Sequence, residues 1–311
     1  RTGSYVLDFY LYIMYYRRKL LFAILENFDG VLTHTKLQKV LFLVTRKQRE
    51  KSFDFVPYKF GSFSFQANQD LNTLTKKGLI LNQTSKKTSE WILEKSENYF
   101  QSLRNEDQAA IKQTIKEIEG LNQRELIKYT YQQYPFFAIN SQIANELLNS
   151  KEMGKVESQK RCLEELAFFT IGYEGISLEK YLNKLIINDV RLLCDVRKNP
   201  LSMKYGFSKN QLKNACESIG ISYVHIPELG INSEKRTDLK TMNDYRRLFD
   251  DYEKTTLIEN KDQLKKILDL THKYQRIAIT CFEKEPCMCH RSRVAEALKR
   301  LPAWNIKQRN L

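Results

Sequence analysis

The sequence predicts an α/β protein in three parts: a winged helix-turn-helix over residues 1–95, a helical connector over 96–160, and a Rossmann-like parallel-sheet domain over 161–311. Three observations predict it. A chain of 311 residues is long for a single core. Its first third runs helix, helix, then two short apolar runs around a polar tip. Its last half holds four apolar, β-branched runs, each ending in polar residues and separated by helical stretches.

The elements follow in order. Residues 5–27 read as a helix stopped at Asn27-Phe-Asp-Gly30. Its start, Tyr5 to Tyr16, is apolar but too short to span a bilayer. It also holds Asp8, and its cations Arg17, Arg18 and Lys19 follow the apolar run, the wrong order for a signal peptide. Thr33 to Thr35 supplies a cap for a helix over Lys36 to Val44. An aromatic extended stretch from Phe53 breaks at Gly61, and a second amphipathic helix runs from Gln66 to Lys77, stopped by Gly78. Leu79 to Leu81 and Trp91 to Leu93 then form a hairpin whose tip carries Lys86 and Lys87. That is the order of a winged helix.

Lys36-Leu-Gln-Lys-Val-Leu-Phe-Leu43, Tyr58-Lys-Phe-Gly61-Ser-Phe-Ser64 and the Asp70 to Ile80 stretch together resemble the Panacea-type antitoxin domain over about residues 15–95. The pattern departs where that family has Gly-Pro-Tyr-Ser. If such a module touches nucleic acid, Lys76, Lys77, Lys86 and Lys87 are its natural phosphate contacts; docking on a protein partner is the alternative.

Residues 96–160 are polar, helical in tendency and close to neutral. From Leu166 the βα rhythm begins. Leu166 to Ile171, Val190 to Cys194, Ile221 to His225 and Arg276 to Cys281 are the expected strands. A parallel sheet brings their C-terminal ends to one rim, where ligands bind. Glu174, Asp195, Arg197, His225, Glu228, Cys281, Glu283, Cys289, His290 and Arg291 are then expected to share one crevice.

Thr170-Ile-Gly-Tyr-Glu-Gly175, Asp195-Val-Arg-x-x-Pro200, Lys204 to Ser208, Gly220 to Gly230, and Cys281 through Val294 resemble the domain-of-unknown-function family 488 across nearly all of 166–300. The resemblance implies an α/β domain without a settled activity, so the chemistry rests on residue types. Arg197, Arg291 and Arg293 are expected to hold a phosphate or carboxylate, with Gly172 and Gly175 allowing close backbone approach and Tyr173 beside them. Glu174 and Asp195 are candidate acids or bases, and Cys281 with His290 the reactive pair. Asp195 with Arg197 also fits a structural ion pair, and His225 a buried histidine bonded to a carbonyl.

A thiol phosphatase or sulfurtransferase wants an arginine closing a short loop after the cysteine, but Arg291 lies ten residues beyond Cys281. A zinc deaminase motif is missed by one residue at both His225-x-x-Glu228 and Pro286-Cys-x-Cys289. Cys281, Cys287, Cys289 and His290 match zinc in ligand type and number; reduced thiols without a cofactor are the simpler expectation.

Net charge is +14, carried by both ends: 15 Lys/Arg against 7 Asp/Glu over residues 1–90, and 27 against 20 over 161–311. This favours a polyanionic partner, nucleic acid and DNA first. Six cysteines, all after residue 160, lack the spacing of a secreted disulfide framework, so a cytoplasmic setting is expected. The expected function is a nucleic-acid-binding enzyme acting on a nucleotide, at a phosphate or glycosidic bond. The alternative is an antitoxin-like or defence-related adaptor that senses an anionic ligand.

Overall fold

A computed structural model describes residues 15–85, 88–236, 239 and 241–311. Lys86, Lys87 and the first ten residues of the first expected helix lie outside the described residues. Two units divide between Gln159 and Lys160.

The N-terminal unit begins with α1 (Tyr16–Glu26), buried from Leu20 to Leu25. Strand β1 (Val31–Thr33) follows, and Thr33 caps α2 (His34–Lys47) by accepting from the Lys36 amide. A two-stranded hairpin, β2 (Val56–Tyr58) and β3 (Gly61–Phe63), leads to α3 (Phe65–Lys76), capped by Ser64. Strands β4 (Leu81–Thr84) and β5 (Ser89–Ile92) pair antiparallel, and β1 closes the other side of β5 to give a sheet of order β1-β5-β4. Val31 to Thr33 was not expected as a strand. Three residues of period-two pattern are too few to read without their partner.

The stretch expected as a connector is helical and packs into this same unit. Helix α4 (Asn105–Glu117) buries Ala110, Ile111 and Thr114, and α5 (Gln123–Gln133) adds Leu126 to the core that α1 and α2 build. Two carboxylates tie the layers together. Asp70 on α3 accepts from the guanidinium groups of Arg17 and Arg18. Glu26 accepts from the backbone amides of Glu97, Tyr99 and Phe100. Short helices α6 (Ala144–Leu147) and α7 (Ser150–Glu157) complete the unit.

The C-terminal unit holds β6 (Ala167–Gly172), α8 (Leu178–Ile187), β7 (Leu192–Asp195), α9 (Lys209–Glu217) and β8 (Ser222–His225). After them come α10 (Met242–Lys254), α11 (Thr256–Glu259), α12 (Lys261–Tyr274), β9 (Arg276–Cys281), α13 (His290–Lys299) and β10 (Lys307–Asn310). The five strands make one parallel sheet of order β10-β6-β9-β7-β8. β6 and β9 are buried along their whole length, as strands covered on both faces must be.

The parallel sheet is the expected one; its order is not that of a Rossmann fold. There the first strand lies beside the second, whereas here β9 separates β6 from β7. The order has a consequence for function. The chain leaves β7 toward β8 on one side, and leaves β9 toward β10 on the other. The crevice beyond the C-terminal ends of β7 and β9 is therefore a topological switch point, the place where open parallel sheets bind ligands.

Candidate active site

The switch point is occupied by a cavity of about 480 Å³, within the range of small-molecule sites. It is lined by the segment after β7 (Arg197, Lys198, Ser202, Lys204), by Tyr173 after β6, and by Cys281 and His290. Each arrives by a definable route.

Cys281 is the last residue of β9 and pairs in register with Gly172 of β6. The chain then turns out to Phe282, exposed at the rim, and returns through a short 3₁₀ turn (Pro286–Met288) to the start of α13. Gly172 is required for this turn. A Cβ there would lie 1.9 Å from the Glu283 carbonyl oxygen. The amides of Tyr173 and Glu174 both donate to the Phe282 carbonyl, clamping the loop to β6.

His290 opens α13 and reaches across the switch point: its Nε2 lies 3.0 Å from the carbonyl oxygen of Val196, just beyond β7. A carbonyl only accepts, so Nε2 carries the proton and donates. That leaves the Nδ1 lone pair facing Cys281 Sγ, 3.4 Å away. Glu283 Oε2 sits 3.3 Å from the same sulfur. Cys289 Sγ completes a buried cluster in which the donor atoms of Cys281, Cys289 and His290 all lie within 4.8 Å of one another. Burial, with Cys281 beside it, holds the Cys289 thiol well above the ordinary range. Cys287 is exposed and outside the cluster. Cys194 and Cys216 are buried with thiols pushed far up, so both are unreactive packing groups.

The Asp195–Arg197 relation is the structural ion pair. Asp195 accepts from the Arg197 guanidinium at 2.8 and 2.5 Å and from the Tyr223 hydroxyl at 2.7 Å, and is fully buried. Both of its carboxylate oxygens are thus engaged by Arg197 and Tyr223. Burial alone would lower the Arg197 guanidinium; hydrogen bonding to Asp195 outweighs it and raises the group. Arg197 also donates to Tyr173 Oη and the Phe207 carbonyl, which fixes the Lys204–Ser208 segment against the sheet.

Other expected residues have other neighbours. Arg291 is not among the residues lining this cavity; its guanidinium donates to the carbonyls of Glu283 and Lys284, stapling the 282–289 loop to α13. Arg293 pairs with Glu253 on α10 and lies over the Phe249 ring. Glu174 is exposed and accepts from the Lys284 amide. His225 bonds the Arg197 carbonyl through Nε2 at 2.8 Å. Glu228 lines a separate polar cavity of about 260 Å³ with Lys235 and Asp251, and a Cβ added at Gly175 would meet nothing within 4 Å. Lys76 and Lys77 end α3, exposed.

The cations that do face the cavity are Lys198 and Lys204, with Arg197. Lys204 donates to the Tyr173 carbonyl at 2.8 Å, and its burial lowers its pKa. Sequence reasoning passes over Lys198 and reads Lys204 only as the first residue of a family motif, not as a site residue. The usable signal is their place in the long loop that leaves β7, the strand beside the switch point.

Among the described residues no helix is long and apolar enough to cross a membrane. No curated protein matches the chain. The matched family region begins at α8, downstream of the Thr170–Gly175 motif. Residues 177–298 match the family model described as Domain of unknown function DUF488, and the C-terminal unit carries a domain of that family.

Proposed function

We propose that the C-terminal domain is an enzyme acting on a nucleotide-sized anionic substrate, at a phosphate or glycosidic bond, and that the N-terminal unit is a winged helix that binds nucleic acid. The observation that carries the enzyme reading is the placement of Cys281 and His290. A thiol and an imidazole lone pair meet on the lining of a cavity at the switch point, with Lys198, Lys204 and Arg197 on the same wall. Asp195 is already matched by Arg197, so Lys198 and Lys204 are the cations on that wall left to meet an anionic ligand.

The winged-helix reading is supported by the order α1, β1, α2, α3, β4, β5 with β1 closing on β5, interrupted by the β2–β3 hairpin. Exposed Lys76 and Lys77 at the C-terminal end of α3 and the +8 balance of residues 1–90 favour a polyanion over a neutral partner.

The test is binding of nucleoside mono-, di- and triphosphates and of short DNA and RNA to the full chain, followed by calorimetry. The reading expects a nucleotide to bind, and Lys198→Ala with Lys204→Ala to weaken it at least tenfold while the fold is retained. Absence of binding by every nucleotide at millimolar concentration would overturn it.

A further inference from the structure

We propose that Cys281, Cys289 and His290 are the three protein ligands of one zinc-class cation whose fourth position opens into the cavity. Three observations carry it. The first is donor geometry. Zinc bonds of ~2.3 Å to sulfur and ~2.0 Å to nitrogen, at a tetrahedral angle, place the two donors about 3.5 Å apart. Cys281 Sγ and His290 Nδ1 stand 3.4 Å apart, and the Cys289 sulfur lies within 4.8 Å of both.

The second is the partner on the far side of the imidazole. The bond from His290 Nε2 to the Val196 carbonyl fixes the ring so that Nδ1 is the nitrogen turned to the Cys281 sulfur. Metal-bound histidines are held in this way. The third is burial combined with backbone shape. All three side chains are buried, and Cys289 and His290 are sequence neighbours. In a continuous strand neighbouring side chains point apart. Cys289 is extended (φ −129°, ψ 135°) and His290 begins a helix, and this break turns both donors toward Cys281. Two thiolates and a dication sum to zero charge, which a buried site tolerates and a pair of bare thiolates does not.

The donor set selects the ion. Two sulfurs and an imidazole favour zinc over magnesium or calcium, which take oxygen ligands. Three protein ligands with one position left open is the layout of catalytic rather than structural zinc. Cys281 and His290 line the cavity while Cys289 does not, so the open side of the triangle faces the cavity. The open position there accepts a water or a substrate oxygen. The role of the open position rests on the enzyme reading above; occupancy of the three ligands does not.

The experiment uses the untagged full chain purified under reducing conditions without chelator. Metal content is measured by inductively coupled plasma mass spectrometry, and the chelator-stripped protein is titrated with cobalt(II). The expected result is one zinc per chain and, with cobalt, the charge-transfer bands of thiolate ligation together with the intensity of a tetrahedral site. Loss of an outer partner of a metal ligand weakens affinity by about 10–100-fold, so Cys289→Ala and His290→Ala should each exceed that. Cys287→Ser should leave affinity unchanged. Wild-type protein that takes up neither zinc nor cobalt, or that binds them undiminished in Cys289→Ala, would overturn the site. Nucleotide turnover by metal-free protein would overturn the catalytic role of the open position and leave the enzyme reading standing. Stoichiometric metal without nucleotide binding would overturn the enzyme reading and leave the three ligands standing.

Discussion

Asp195 and Arg197, two residues apart at the end of β7, meet through paired hydrogen bonds of 2.8 and 2.5 Å in a site that excludes water from the carboxylate. The pair turns the chain from the sheet into the cavity wall, because the same guanidinium holds Tyr173 and the Phe207 carbonyl. Removing one partner of a buried pair leaves an uncompensated charge. Arg197→Met is therefore expected to cost about 3–5 kcal/mol, read as a lower urea midpoint for the C-terminal unit. A loss below about 1 kcal/mol would mean that water reaches Asp195.

Lys39 makes the N-terminal unit pH-dependent. Its ammonium group is buried against the Ser62 carbonyl at 2.8 Å, beside a small aromatic cavity containing His34, Tyr58 and Trp91. Burial pushes its pKa down from 10.5 to about 7. Between these values the unfolded chain binds a proton that the folded chain does not, so stability rises as pH rises from about 7 toward 10.5. Below pH 7 both states are protonated, and the penalty is constant and full. Lys39→Met should raise stability at pH 6 by up to on the order of 5 kcal/mol and flatten the profile above pH 7. Equilibrium unfolding at several pH values checks both.

Arg291 and Gly172 both meet the 282–289 loop at the Glu283 carbonyl. Arg291→Ala removes two charge-assisted bonds to backbone carbonyls and leaves both without those donors. The expected loss is about 2–3 kcal/mol, accompanied by faster amide exchange in residues 282–289. Gly172→Ala drives a methyl group into the Glu283 carbonyl, so the loop must leave β6. Nucleotide affinity should fall in both variants.

Lys76 and Lys77 test the nucleic-acid reading. Removing either lysine should weaken binding alike for all sequences and reduce the slope of log K against log salt by about 1. Binding unaltered in Lys76→Ala and Lys77→Ala would move the nucleic-acid surface away from the end of α3.

The rim residues of the C-terminal sheet were legible because a parallel strand announces itself twice. Arg276 to Cys281 is apolar and β-branched, and its polar residues arrive together at Cys281. β10 announces itself neither way: Lys307–Asn310 is polar and joins through backbone bonds to β6 as an edge strand. Strand order was not legible either, since the insertion of β9 between β6 and β7 depends on packing between distant segments. The arginines mark another limit. Residue type makes Arg291 a candidate for an anion, but only distance reveals that its acceptors are its own loop's carbonyls. Lys198 and Lys204 are missed as site residues for the converse reason: a lysine in a basic chain carries no sign of an anion until a cavity forms beside it.

The account depends most on the cavity at β7 and β9 being a reaction centre. Turnover of whichever nucleotide binds the full chain, compared between wild type and Cys281→Ala of matched circular dichroism, tests it most directly. Product formed by the wild type and none by Cys281→Ala is the predicted result; equal rates from the two proteins would contradict it.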